Sequence, residues 1–131
     1  MPQLQNLAIA DGETTPVTHT FVPRDIVNGV GTVVEAGNTP IGENRITISM
    51  KKSGTRYKGE LRLTMPVVAT ETVNGIARPT VIRTAYVALS VSFDEKSTLQ
   101  ERKNATALIA QALNPNRVLV NDALVNLQGV Y

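Results

Sequence analysis

Cysteine and tryptophan are absent from this 131-residue chain, histidine occurs once, and aromatic residues make up only 4% of it. Without cysteine there is no disulfide framework, no thiolate nucleophile and no cysteine zinc site. With so few rings, a core has to be built from Val, Ile, Leu and Ala. No run of about 18 apolar residues occurs, so no transmembrane helix and no membrane partner are expected. The opening MPQLQNLAIADGE has no basic region followed by an apolar stretch, so no secretory leader is expected either. Catalysis is also poorly provided for. His19 is the sole histidine, and no HExxH, GxSxG or phosphate-loop motif appears. Glu60, set between Lys58 and Arg62, is badly placed to serve as a base. No enzyme activity, cofactor or metal is expected.

What is present is a globular composition, with 42% hydrophobic and 18% charged residues in a length that suits one domain. Net charge is only +2, but six of the thirteen basic residues lie between Arg45 and Arg62 against a single acid, Glu60. Alternation of side chains predicts where they point. In RITISMKKSGTRYKGELRLTM, Arg45, Thr47, Ser49 and Lys51 share one face, with Ile46, Ile48 and Met50 opposite. After the turn SGT, Lys58, Glu60, Arg62 and Thr64 share a face, with Leu61, Leu63 and Met65 opposite. The run VIRTAYVALSVSF adds Tyr86, Ala88, Ser90 and Ser92 to the polar side. If these strands are neighbours, one sheet face is basic and hydroxyl-bearing and the other is aliphatic. A solvated face is the plain explanation. The six-to-one sign bias favours instead a surface for phosphates, with Tyr86 free to stack on a base.

The remaining elements follow from turn and period signals. Two short strands flank Asp11-Gly12, carrying Leu7 and Ile9 and then Val17, His19 and Phe21, and Pro23 is expected to end the second. Val30, Thr32 and Val34 mark a third strand, stopped by Gly37 and Pro40. Strands are expected at roughly 44–52 and 56–66, and VVATETVNGIAR, between Pro66 and Pro79, is expected to be a polar loop too long for a hairpin turn. From Ser97 the period becomes helical. Ser97 with Gln100, or Thr98 with Glu101, offers a capping box, and Asn114-Pro115 is the stop. A second short helix is expected over 117–127. The fold class is therefore α+β in a single domain: an N-terminal β-hairpin (about 1–24), an antiparallel meander (28–95) and two C-terminal helices (97–127). Neither helix is long enough to stand alone, so each needs something to pack on.

The ordered blocks VNGVG, RITISMKK, YKGELRLTMPVVATETVNG, RTAYV and a terminal GVY resemble the coat proteins of the small single-stranded RNA bacteriophages over nearly the whole chain. The resemblance implies a homodimer in which two sheets join and each subunit's helices cross the partner, and a T=3 icosahedral shell of such dimers around the genome. It implies a virion protein, assembled in the host bacterial cytoplasm, with the maturation protein as a further partner. It also implies that the polar face binds an RNA stem-loop at the replicase start, repressing translation and marking the genome for packaging. Matched position by position, Val30, Thr47, Ser49 and Arg62 correspond to adenine-contacting residues and Tyr86 to the residue that stacks on a loop base. Arg45, Lys51 and Lys58 correspond to phosphate contacts. Glu60 and Ala88 depart from threonine and asparagine at two further RNA-contacting positions, so the preferred hairpin should differ from that of the relatives. Thr72, Val73, Asn74, Gly75, Arg78 and Pro79 match the loop that meets its copies around the shell's symmetry axes. Two other readings stay open: a shell protein that packages RNA by charge alone, and a non-viral RNA-binding module.

Overall fold

The computed structural model describes residues 2–35 and 40–131. Six strands run in sequence order across one sheet: β1 (Leu7–Ala10), β2 (Thr18–Val27), β3 (Val30–Glu35), β4 (Arg45–Ser53), β5 (Arg56–Val73) and β6 (Ile76–Asp94). Two helices follow, α1 (Leu99–Ala112) and α2 (Val118–Leu124). Contacts divide the chain after Ser92 into the sheet and a helical unit, Phe93–Tyr131. The α+β class and the order of elements are as the sequence indicates.

Three strand boundaries differ from expectation. Pro23 does not end β2; the strand continues to Val27 and pairs with β3, with a one-residue slip between Pro23 and Asp25. The hairpin is thus part of the common sheet. The stretch from Pro66 to Pro79 is not a loop either. β5 and β6 extend through it to a two-residue turn at Asn74-Gly75, and the Thr80 hydroxyl donates to Glu71 across the pair at 3.5 Å. Asn74 and Gly75 have φ of 53° and 78°, and Asn28-Gly29, joining β2 to β3, repeats the pattern with 52° and 78°. Positive φ at both central residues matches the right-handed twist of the strands, which is why Asn-Gly closes both hairpins. Of the expected stops for β3, Gly37 lies outside the described residues, and Pro40 opens a 3-10 turn, Pro40–Gly42.

The core is small. Phe21, Val33 and Ile46 are buried together, with Leu4 and Leu63 packed against them, and Val34 is buried as well. Gly31 makes room for Leu4, whose Cδ1 lies 3.0 Å from where a Cβ would stand. Further along the same face Ile48 is 55% and Met50 54% exposed. In the helical unit, Thr98 and Glu101 close the capping box, each backbone N–H donating to the other's side chain at 3.2 Å. Leu108, 71% exposed, and Leu113, Val118, Leu119 and Leu124 are uncovered.

Candidate nucleic-acid interface

Register places the polar residues in rows. Across β3, β4 and β5 the directly opposed sets are Val30, Ser49 and Glu60, then Thr32, Thr47 and Arg62, then Val34, Arg45 and Thr64. Directly opposed residues share a face, so Val30, Arg45, Thr47, Ser49, Glu60 and Arg62 lie on one surface. The reverse carries Val33, Ile46 and Leu63, then Gly31, Ile48 and Leu61. Toward the hairpin tip Lys51 opposes Lys58, two like charges whose repulsion is destabilising unless an anion joins them. On the reverse face Lys52 stands 5.5 Å from the Tyr57 ring centroid.

Two contacts orient β6. A Cβ on Gly59 would stand 2.9 Å from Val91 Cγ2 and 2.6 Å from Met50 Cε, which sets Val91 on the aliphatic face. Arg56 donates from Nε to Ser92 Oγ at 2.8 Å and from Nη2 to the Ser92 carbonyl at 3.1 Å, which sets Ser92 on the polar face. Alternation back from Ser92 puts Ser90, Ala88 and Tyr86 on the polar face. Tyr86 is 78% exposed, leaving its ring open to a stacking partner.

The sheet also brings to this face Arg24, Asp25 and Thr32, which sequence reasoning did not place there. Arg24, Asp25, Thr32, Arg45, Thr47, Arg62 and Thr64 line one shallow concavity of about 420 Å³. Arg62 donates from Nε to Glu60 Oε1, and Arg24 reaches Glu43 at 3.5 Å. Thr32 could have been found from its register with Thr47, but nothing in the local sequence signals the slip that brings in Arg24. Thr72, Val73, Arg78 and Pro79 lie beside the Asn74-Gly75 turn, in β5 and β6 and away from these rows.

A titratable cluster sits at the hairpin end, on the Phe21 face. His19 Nδ1 lies 2.5 Å from Glu35 Oε1 and Nε2 lies 2.6 Å from Asp11 Oδ2. Asn44 donates to Glu35 Oε2 at 2.8 Å. The hydrogen bonds to Glu35 and then Asp11 raise the His19 pKa. The same bonds lower both carboxylates, Asp11 with help from the backbone N–H groups of Val17 and Glu13, and Glu35 with help from Asn44. Among the described residues no group of three or more His, Cys, Asp or Glu could hold a metal ion, and no helix is long and apolar enough to cross a membrane.

Comparisons with known proteins agree with this architecture. A family model described as levivirus coat protein matches residues 2–131. The capsid protein of Pseudomonas phage PRR1 is 55% identical over 130 residues, covering 98% of this chain and 99% of that protein. A virus-like particle of bacteriophage NT-214 superposes with a TM-score of 0.84 at 25% identity, over 99% of this chain and 100% of that one. An unassembled coat protein dimer, described as a bacteriophage RNA-binding dimer, shares the fold with a TM-score of 0.63 at 20% identity, over 98% of each chain.

Proposed function

Because this chain belongs to the levivirus coat protein family, it is a capsid protein and not an enzyme, and we propose that it also binds and packages RNA as a dimer. In this reading the dimers close a T=3 icosahedral shell around the phage genome. The polar sheet face binds one stem-loop at the replicase start, repressing translation and marking that RNA for packaging. Assembly takes place in the host bacterial cytoplasm, and the maturation protein joins the virion. Family membership removes the reading as a non-viral module.

One observation carries the RNA reading: Thr47, Ser49, Arg45 and Arg62 fall in adjoining rows on one surface, with exposed Tyr86 on the same face. Hydroxyls can bond base edges, guanidinium groups can hold phosphates, and the ring can stack on an unpaired base. The opposed Lys51 and Lys58 are relieved when a phosphate lies between them. Dimer formation is supported by β6, a 19-residue strand at one end of the strand order. Such an edge leaves a row of unpaired backbone groups, and a second copy meeting it about a two-fold axis would extend the sheet. The crossed helices would then complete one coat domain with the partner's sheet. The Asn74-Gly75 hairpin end, with Thr72, Val73, Arg78 and Pro79, would meet its copies around the shell axes.

Charge-only packaging is the second reading. It is favoured by Glu60, which occupies the Arg62 guanidinium, and by Ala88, which has no hydrogen-bonding side chain. The test is binding of the phage's own replicase-start hairpin by the parent and by Tyr86→Ala and Arg62→Ala. Each substitution should weaken binding about tenfold or more. Tyr86→Ala binding as tightly as the parent, with Arg62→Ala losing only the salt-dependent share of one cation, would leave charge-only packaging, which shows little preference among hairpins.

A further inference from the structure

In β2 the partners run Phe21 with Glu35, Val22 with Val34 and Pro23 with Val33, and then jump to Asp25 with Thr32. Arg24 is the residue left over. This is a β-bulge, two residues on one strand opposing one on its neighbour. Pro23 suits the position because it has no N–H to give the ladder. The consequence is directional. Plain alternation cannot place consecutive residues on one face, yet Arg24 and Asp25 both line the polar concavity with Arg45 and Arg62. Bulges re-aim side chains in this way.

Resting on the RNA reading above, we infer that this concavity seats one backbone phosphate of the bound RNA, with Arg24 as its third cationic ligand. Three guanidinium groups and one carboxylate, Asp25, line it, with Arg62 and Arg24 paired at its edge to Glu60 and Glu43, and the Thr32, Thr47 and Thr64 hydroxyls supply further donors. Net positive lining, donors on several sides and an open mouth suit a phosphodiester, which is multiply hydrogen-bonded and still tethered to a chain outside. Arg24 is available for the task. Its contact with Glu43 is 3.5 Å long and its side chain is 50% exposed, so exchanging that partner for a phosphate costs little. The site extends the footprint onto β2, two strands beyond the Thr47 and Arg62 row of β4 and β5. Because Arg24 would touch only backbone, it contributes affinity and position and reads no base.

The test is fluorescence anisotropy of the purified coat protein with two RNA hairpins, the phage's own replicase-start hairpin and one of unrelated loop sequence, at salt from about 50 to about 200 mM. Arg24→Gln should weaken both hairpins by the same factor, roughly tenfold at the lower salt, and make the plot of log affinity against log salt shallower by about one. Arg24→Lys should keep the parent slope. Asp25→Asn should tighten both. Glu43→Gln removes the same ion pair but leaves Arg24 in place, so it should bind at least as tightly as the parent. An Arg24→Gln protein with the parent slope overturns the inference, and so does a Glu43→Gln protein that reproduces its loss. A parent that binds neither hairpin overturns the RNA reading itself, a result distinct from parent and Arg24→Gln binding alike.

Discussion

Glu60 and Arg62 show how one short contact can set the strength of a binding surface. They lie two apart on β5, so alternation puts both on the polar face, where Arg62 donates from Nε to the Glu60 carboxylate. That bond holds the guanidinium in place, but it also presents a negative charge where phosphates would approach. Glu60→Gln removes the charge and keeps the length, and it should raise RNA affinity severalfold with the gain shrinking as salt rises. Titration of one hairpin at two salt concentrations checks this, and weaker binding would mean that Glu60 accepts a hydrogen bond from the RNA. At this scale the sequence was highly legible. Period two alone sorted Arg45, Thr47, Ser49, Glu60 and Arg62 onto one face, because every side chain on a regular strand must obey it. Arg24 was hidden because it sits where that period breaks.

Elements were legible where local signals agreed and illegible where tertiary pairing overrode them. The capping box at Thr98 and Glu101 and the tight β4–β5 hairpin followed from neighbouring residues alone. Pro23 and the polar run after Pro66 carry misleading local signals, since strand pairing to β3 and the length of β5 and β6 are set by partners far away in sequence. The His19 cluster was invisible for the same reason, as Asp11, His19, Glu35 and Asn44 meet only once β1, β2 and β3 are side by side. It fastens the first hairpin to β3, and the signs of its shifts fix when it holds. His19 is raised, so its contribution is full below its ordinary value of 6.5 and is lost as pH climbs through the raised one. Asp11 and Glu35 are lowered from 3.8 and 4.5, so theirs is present above those values and is lost as pH falls through the lowered ones. Amide exchange over Leu7–Ala10 should therefore be slowest in the mildly acidic range and quicken on both sides. In His19→Gln the quickening toward alkaline pH, beyond the ordinary base catalysis of exchange, should vanish; its persistence would show that another group controls the hairpin.

The whole molecule has more surface than a chain of this mass should keep. At 14.1 kDa a folded monomer exposes roughly 6,700 Å², whereas this chain exposes 10261 Å². The excess, on the order of 3,500 Å² for one chain, is well above the roughly 800 Å² that each partner gives to a standard interface. Its chemistry agrees, since Ile48, Met50, Leu61 and Met65 are exposed on the aliphatic face and Leu108, Leu113, Val118 and Leu119 on the helical unit. The sequence already held this in outline: few aromatic residues, a core of branched aliphatics, and helices too short to be stable alone. It could not say which surfaces meet, because symmetry about a partner leaves no trace in local periodicity. If the buried cluster around Phe21, Val33 and Ile46 is too small to hold the chain folded, then association and folding are one equilibrium and the unfolding midpoint depends on protein concentration. Unfolding in urea of dissociated coat protein, followed by circular dichroism over a hundredfold concentration range, should show the midpoint rising by RT ln 10, about 1.4 kcal/mol of stability, per decade of protein. A midpoint that stays fixed while the mass remains that of one chain would mean that the sheet closes its own core, and the exposed aliphatic face would then need some occupant other than a second copy.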